Sequence, residues 1–244
     1  MEVHHHSHTA RKKWTHYFLE FLMLFLAVFC GFLAEYQLEH KIEKSREKQF
    51  IKSFVEDLEA DTTTFNQRLA YCQLTIRRVD SLAKVLNSPD LNAQAGEVYY
   101  FLRWMHRSEG LSVNDRTIVQ LRNSGGMRLI KNKSVSDSMV GYYKDIDFIG
   151  FIYDEQLEFR RSLRPYFPKI LDGNDYTKVI DNRNVVVRPA ETVRLRSTDP
   201  ETINALLLLL NNIQGINFGL HSRIEALKLR AINMRSFIKE EYNL

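Results

Sequence analysis

The chain has few side chains from which a reactive centre could be built. Of its eight histidines, four crowd the leader as His4, His5, His6 and His8. Imidazoles at that density can hold a divalent metal. No Cys, Asp or spaced second pair completes a coordination geometry, however, and no metal or cofactor is expected. Beyond the leader and the apolar segment stand His40, His106 and His221, with no pair at the i,i+4 spacing of a zinc protease. Ser124-Gly125-Gly126 lacks the Lys-Ser/Thr ending of a phosphate-binding loop and reads as a helix stop. A Gly-x-Ser-x-Gly elbow and paired-cysteine zinc spacing are also missing. Arg160, Arg161 and Arg164 form the densest basic cluster past the leader. It suits lipid phosphates, an anionic ligand or a solvated helix end. The chain reads as a non-enzyme with no catalytic residues.

Composition agrees. The 244 residues are 44% apolar and 26% charged, which excludes wholesale disorder. Half of the +4 net charge lies in the leader, where Arg11, Lys12 and Lys13 outweigh Glu2. The remainder is nearly balanced, so nucleic acid is not an expected partner. Cys30 and Cys72 form no disulfide framework. Along a helix their separation is roughly 60 Å, far beyond disulfide reach.

The elements that carry these residues begin with Phe21 to Ala34, fourteen residues whose one polar group is the Cys30 thiol. Extended to residues 14–37, the segment spans the hydrocarbon thickness of a bilayer as one helix. Trp14 and Tyr17 at one end and Tyr36 at the other occupy interfacial positions. Bulky residues around the C-terminal end of the run favour an uncleaved anchor over a signal peptide. Arg11, Lys12 and Lys13 favour a cytoplasmic N-terminus and a periplasmic bundle, although Lys41, Lys44, Arg46 and Lys48 follow closely. Glu20 is either an interfacial carboxylate within reach of water or Lys12-Lys13, or a contact to a partner helix.

From Ile42 to Leu86 there is no Pro or Gly, and nothing between Glu35 and Ile42 interrupts the helix. Ile51, Leu58, Phe65, Cys72, Val79 and Leu86 recur every seven residues. Val55, Thr62, Leu69, Ile76 and Ala83 follow each by four. That is the seam of a coiled coil or long bundle helix. Glu56, Asp57, Glu59 and Asp61 fall off it, as a solvated face would. Asn87-Ser88-Pro89-Asp90 ends the helix. Shorter helices are expected near 94–108, at 116–124 capped by Asp115, and at 135–163 opened by Ser134 or Ser136. The last carries an aligned row through Met139, Tyr143, Ile146, Gly150, Tyr153 and Leu157. Residues 172–198, with Val185-Val186-Val187 and Val193-Arg194-Leu195, suit a small hairpin or an irregular loop. Asp199-Pro200 opens a last helix with two heptad rows. One is Ile203, Leu210, Asn217, Ile224, Ala231 and Ile238; the other is Leu206, Ile213, Leu220, Leu227 and Met234. Asn217 in a core row can fix register or oligomer number. Gly215 and Gly219 beside it allow close helix approach.

The expected fold is all-α: a leader (1–13), a transmembrane helix (14–37), and an elongated antiparallel bundle (38–244) with an irregular insertion at 172–198. The run from His16 to Glu35 resembles a Bacteroidota family of uncharacterised single-span membrane proteins. So do Glu39-His40, the stretch Arg46 to Leu58, Leu121 to Ile130 with Lys131-Asn132-Lys133, and the His-rich leader. The resemblance implies a bacterial membrane location and transfers no activity. The leading expectation is a membrane-anchored interaction or assembly module whose partners are the bilayer and a second copy or another membrane protein. The alternative is an extracytoplasmic sensor or ligand-binding bundle, with Tyr142, Tyr143, Tyr153 and Arg160 lining a pocket. With about thirteen residues before the span and an end at Leu244, it would signal through a partner protein.

Overall fold

The computed structural model describes residues 14–244. The histidines of the leader lie outside the described residues. The fold is all-α, with no strand among the described residues. Helix α1 runs Trp14–Leu86. It is followed by α2 (Ala95–Met105), α3 (Arg116–Asn123), α4 (Lys133–Ser162), the short α5 (Phe167–Ile170) and α6 (Gly173–Thr177), and α7 (Pro200–Tyr242). Two compact units divide between Gln49 and Phe50.

In the first unit the described residues are all helical. Its most apolar stretch is unburied, with side chains such as Phe21, Leu24 and Val28 exposed. Length and composition make α1 able to cross a membrane; α7 also passes that test, although a third of its apolar stretch is buried in the bundle.

In the second unit α1, α4 and α7 lie side by side. Gln73 meets His221, Asp80 meets Gln214 and Glu59 meets Arg235. As residue numbers rise along α1 they fall along α7, so the two are antiparallel. Asn132–Glu241 and Asp145–Arg230 make the same statement for α4 and α7. Long apolar stripes need partners of matching length, and here each supplies the others.

The heptad rows of α7 are both buried along their whole length. On α1 the first row is also buried from Ile51 to Leu86. The second differs. Thr62, Leu69, Ile76 and Ala83 are only half-buried, whereas Phe54, Asp61, Thr75 and Leu82, three residues after the first row, are buried. A helix packed on two neighbours buries a stripe wider than a two-stranded seam, so the +3 side joins the core.

Local signals place most helix ends. Asp199 accepts from the Thr202 N–H and Pro200 occupies the first helical position. Gly125, at φ +64°, takes the left-handed turn after α3. Helix α4 begins earlier than expected: Asn132 caps it by accepting from Val135 N–H, ahead of both Ser134 and Ser136. Its core face includes Met139, Tyr142, Ile149, Tyr153, Gln156 and Arg160; Gly150 is exposed, and Ile146 and Leu157 are half-buried. Residues 172–198 form no hairpin. Isolated antiparallel bridges join Leu171 to Leu195 and Ile180 to Val186. The buried Tyr99 hydroxyl donates to Arg194 O and accepts from Asp172 N–H, fixing this segment to α2.

Candidate functional site

Along the first unit, Trp14, Tyr17 and Tyr36 are exposed. Trp14 stacks on Phe18, and Tyr36 shares a hydrogen bond with His40 one turn on. Glu20 lies 3.2 Å from His16 Nε2 on the same face, a local partner one turn earlier. Cys30 is exposed, Cys72 is buried and both are free thiols. Burial raises the Cys72 pKa to about 11, which makes it an inert core thiol at neutral pH.

The acidic run on α1 is not a solvated face throughout. Glu56 and Glu59 are exposed, but Asp57 and Asp61 are buried. Asp57 accepts from Thr117 N–H at 3.2 Å and from the Thr117 hydroxyl, and pairs with Arg116 at 3.0 Å. Asp61 accepts from Asn114 N–H and Nδ2 on one oxygen and from the Tyr142 hydroxyl on the other. Asp115 sits at the N-cap of α3 without a side-chain cap bond. The helix is instead capped across space by Asp57. Burial raises the Asp61 pKa, opposed by these hydrogen bonds.

A polar layer divides the core. One apolar cluster extends on α1 from Ile51 to Cys72, the other from Val79 to Leu86. On α7 the same break falls between Ile213 and Leu220. At that level lie Thr75, Gln156, Arg160 and Asn217, all buried. Asn217 donates to Ile213 O in its own helix and accepts from Gln156 Nε2 at 2.8 Å. The core Asn thus has an intrachain partner. A Cβ placed at Gly215 or Gly219 meets nothing within 4 Å, so neither glycine is used for helix approach among the described residues.

Beside this layer the 105–109 segment brings arginines together. Arg160 is 5% exposed, and its Nη1 donates to Met105 O at 3.0 Å and Arg107 O at 2.7 Å. Tyr71 donates to the same Arg107 carbonyl. Arg68 pairs with Glu109 at 3.1 Å. The Arg78 guanidinium lies 3.4 Å from the centroid of the Trp104 ring and Arg107 5.3 Å from it. Arg160 Nε and Nη2, Arg68 Nε, Tyr153 Oη and Trp104 Nε1 are buried without a hydrogen-bond partner among the described residues. Of the four residues expected to line a pocket, Tyr153 and Arg160 belong here, whereas Tyr142 and Tyr143 serve Asp61 and Asn114. Arg161 is exposed and pairs with Glu158.

The outward side of α7 is a third feature. Leu208, Asn211, Gly215, Phe218, Ser222, Ala226 and Leu229 are exposed and spaced three or four apart, hence on one face. None carries a charge. On α4, Phe148 and Phe151 are exposed, and Phe148 adjoins this face beside Ala226 with Arg223 4.6 Å over its ring. The row is masked in the sequence because its larger members stand beside two stronger core rows.

Among the described residues no group of His, Cys, Asp and Glu is placed to hold a metal ion. No family model, curated protein or solved structure matches the chain.

Proposed function

We propose that this is a single-pass, membrane-anchored helical module that works by association with a second copy of itself and not by catalysis. In this reading residues 14–37 lie in a bacterial inner membrane, with the N-terminus cytoplasmic and the bundle periplasmic. The observation that carries the proposal is the uncharged exposed row of α7 centred on Gly215, Phe218 and Ser222. A like row on a second copy meets it without like-charge repulsion, and Gly215 admits a close backbone. Confinement of two chains to one bilayer raises their effective concentration, so a modest face suffices.

Ser222→Cys in the full chain, with Cys30→Ala to remove the other exposed thiol, tests this in membranes under mild oxidation. A disulfide-linked dimer is expected, and Phe218→Glu should abolish it. A chain that stays uncrosslinked, and monomeric in detergent, would count against assembly.

A second reading, a ligand-binding bundle acting through a partner protein, is favoured by one observation: Arg160 is buried and has no carboxylate partner among the described residues.

A further inference from the structure

Five buried polar side-chain atoms lack a hydrogen-bond partner among the described residues, and they occur on only four residues: Arg68, Trp104, Tyr153 and Arg160. Every one is a donor. Buried donors left without an acceptor are destabilising, and native folds keep few of them. Their concentration in one neighbourhood, all of one polarity, calls for an acceptor.

Arg160 defines where that acceptor belongs. Met105 O and Arg107 O hold Nη1, which orients the guanidinium plane. The free nitrogens are Nε and Nη2, the parallel pair that grips a carboxylate or phosphate with two hydrogen bonds. Tyr153, two turns earlier on the same face of α4, contributes a free hydroxyl.

Charge points the same way. The groups that act electrostatically on Arg160 are Tyr71, Cys72 and Tyr153, and none is a carboxylate. Arg78 is pushed down by burial, held up by Tyr100 and Tyr71, and repelled by Arg160 and Arg107. Glu109 is committed to Arg68 and is itself largely exposed. Water can satisfy a hydrogen bond, but it does not neutralise a buried guanidinium. An isolated buried charge is costly. Burial accordingly lowers the Arg160 pKa.

We infer that the cluster of Arg68, Arg78, Arg107, Tyr153 and Arg160 binds a compact phosphate group, gripped by the Nε–Nη2 edge of Arg160 and by the Tyr153 hydroxyl. Three guanidinium groups without a carboxylate match a dianion better than a monocarboxylate. The inference rests on the ligand-binding reading and is independent of self-association. Inorganic phosphate and the headgroup of a phosphatidic acid offer the same chemistry.

The test is calorimetric titration of the full chain in neutral detergent with inorganic phosphate, short-chain phosphatidic acid and succinate, together with Arg160→Lys and Tyr153→Phe. Both variants keep most of the packing, and circular dichroism checks that they are folded. Saturable phosphate binding is expected, weakened about tenfold or more by either substitution as a charge-assisted contact is lost. Binding of phosphatidic acid with none of free phosphate identifies a lipid source, and the reverse a soluble one; both support the inference. Succinate binding that depends on Arg160, without phosphate binding, overturns the phosphate assignment and leaves the ligand-binding reading intact. No binding of any probe overturns both, whereas binding unchanged in both variants overturns the inference and leaves the ligand-binding reading intact.

Discussion

The Tyr142 hydroxyl donates to Asp61 Oδ2 at 2.6 Å across the interface of α4 and α1, in a part of the core with no access to solvent for either residue. The other Asp61 oxygen takes both hydrogen bonds from Asn114, so this carboxylate ties two separate segments to the first helix of the bundle. Tyr142→Phe leaves Oδ2 without its donor and should cost about 1–3 kcal/mol, read from chemical denaturation of the full chain in detergent. The same site should leave a mark on pH dependence. Burial holds the folded pKa of Asp61 above 3.8, so the folded chain keeps a proton that the unfolded chain has released. That stabilising contribution is complete below 3.8 and is lost as pH rises through the folded value. The stability of the wild type minus that of Asp61→Asn should therefore fall with rising pH across this window. A flat or rising difference would contradict the assignment.

Asp57 and Asp115 are rival caps for α3, and the geometry favours Asp57. Asp57→Ala removes the bonds to the Thr117 N–H and hydroxyl and the ion pair with Arg116. About 1–3 kcal/mol of stability should go with it. Asp115→Ala deletes no side-chain cap bond and should stay within about 0.5 kcal/mol of the wild type. Thermal melts of the two variants side by side decide between them; equal losses would show that Asp115 carries the cap in solution.

Asn217 and Gln156 form a buried pair whose halves depend on each other. Asn217→Leu strands the Gln156 amide in an apolar layer and should destabilise by about 1–3 kcal/mol. Adding Gln156→Met removes the stranded group, so the double variant should recover much of that loss. Purely additive losses in the double-mutant cycle would mean that the two amides are not coupled.

Much of the architecture is legible from spacing. All eleven positions of the two heptad rows on α7 are buried, as is the first row of α1, because an apolar stripe at helical period must be covered whatever covers it. The stops at Pro89 and Gly125 and the cap at Asp199 are legible for a similar reason: they depend on the chemistry of a few adjacent residues. The fourteen-residue apolar run near the start announces itself by composition alone.

What spacing withholds is the identity of the partner. Asp61 reads as one more charge on an acidic run until Asn114, 53 residues away, and Tyr142, 81 residues away, close around it. Arg160 belongs to an arginine-rich helix end in the sequence, yet in the fold it turns inward to carbonyls of the 105–109 segment while Arg161 stays outside. A polar side chain is solvated or buried according to what is brought against it from distant parts of the chain. Hydrophobic period records which face turns inward and carries no information about which donors and acceptors meet there; only the tertiary packing of α1, α4 and the segment between α2 and α3 decides that.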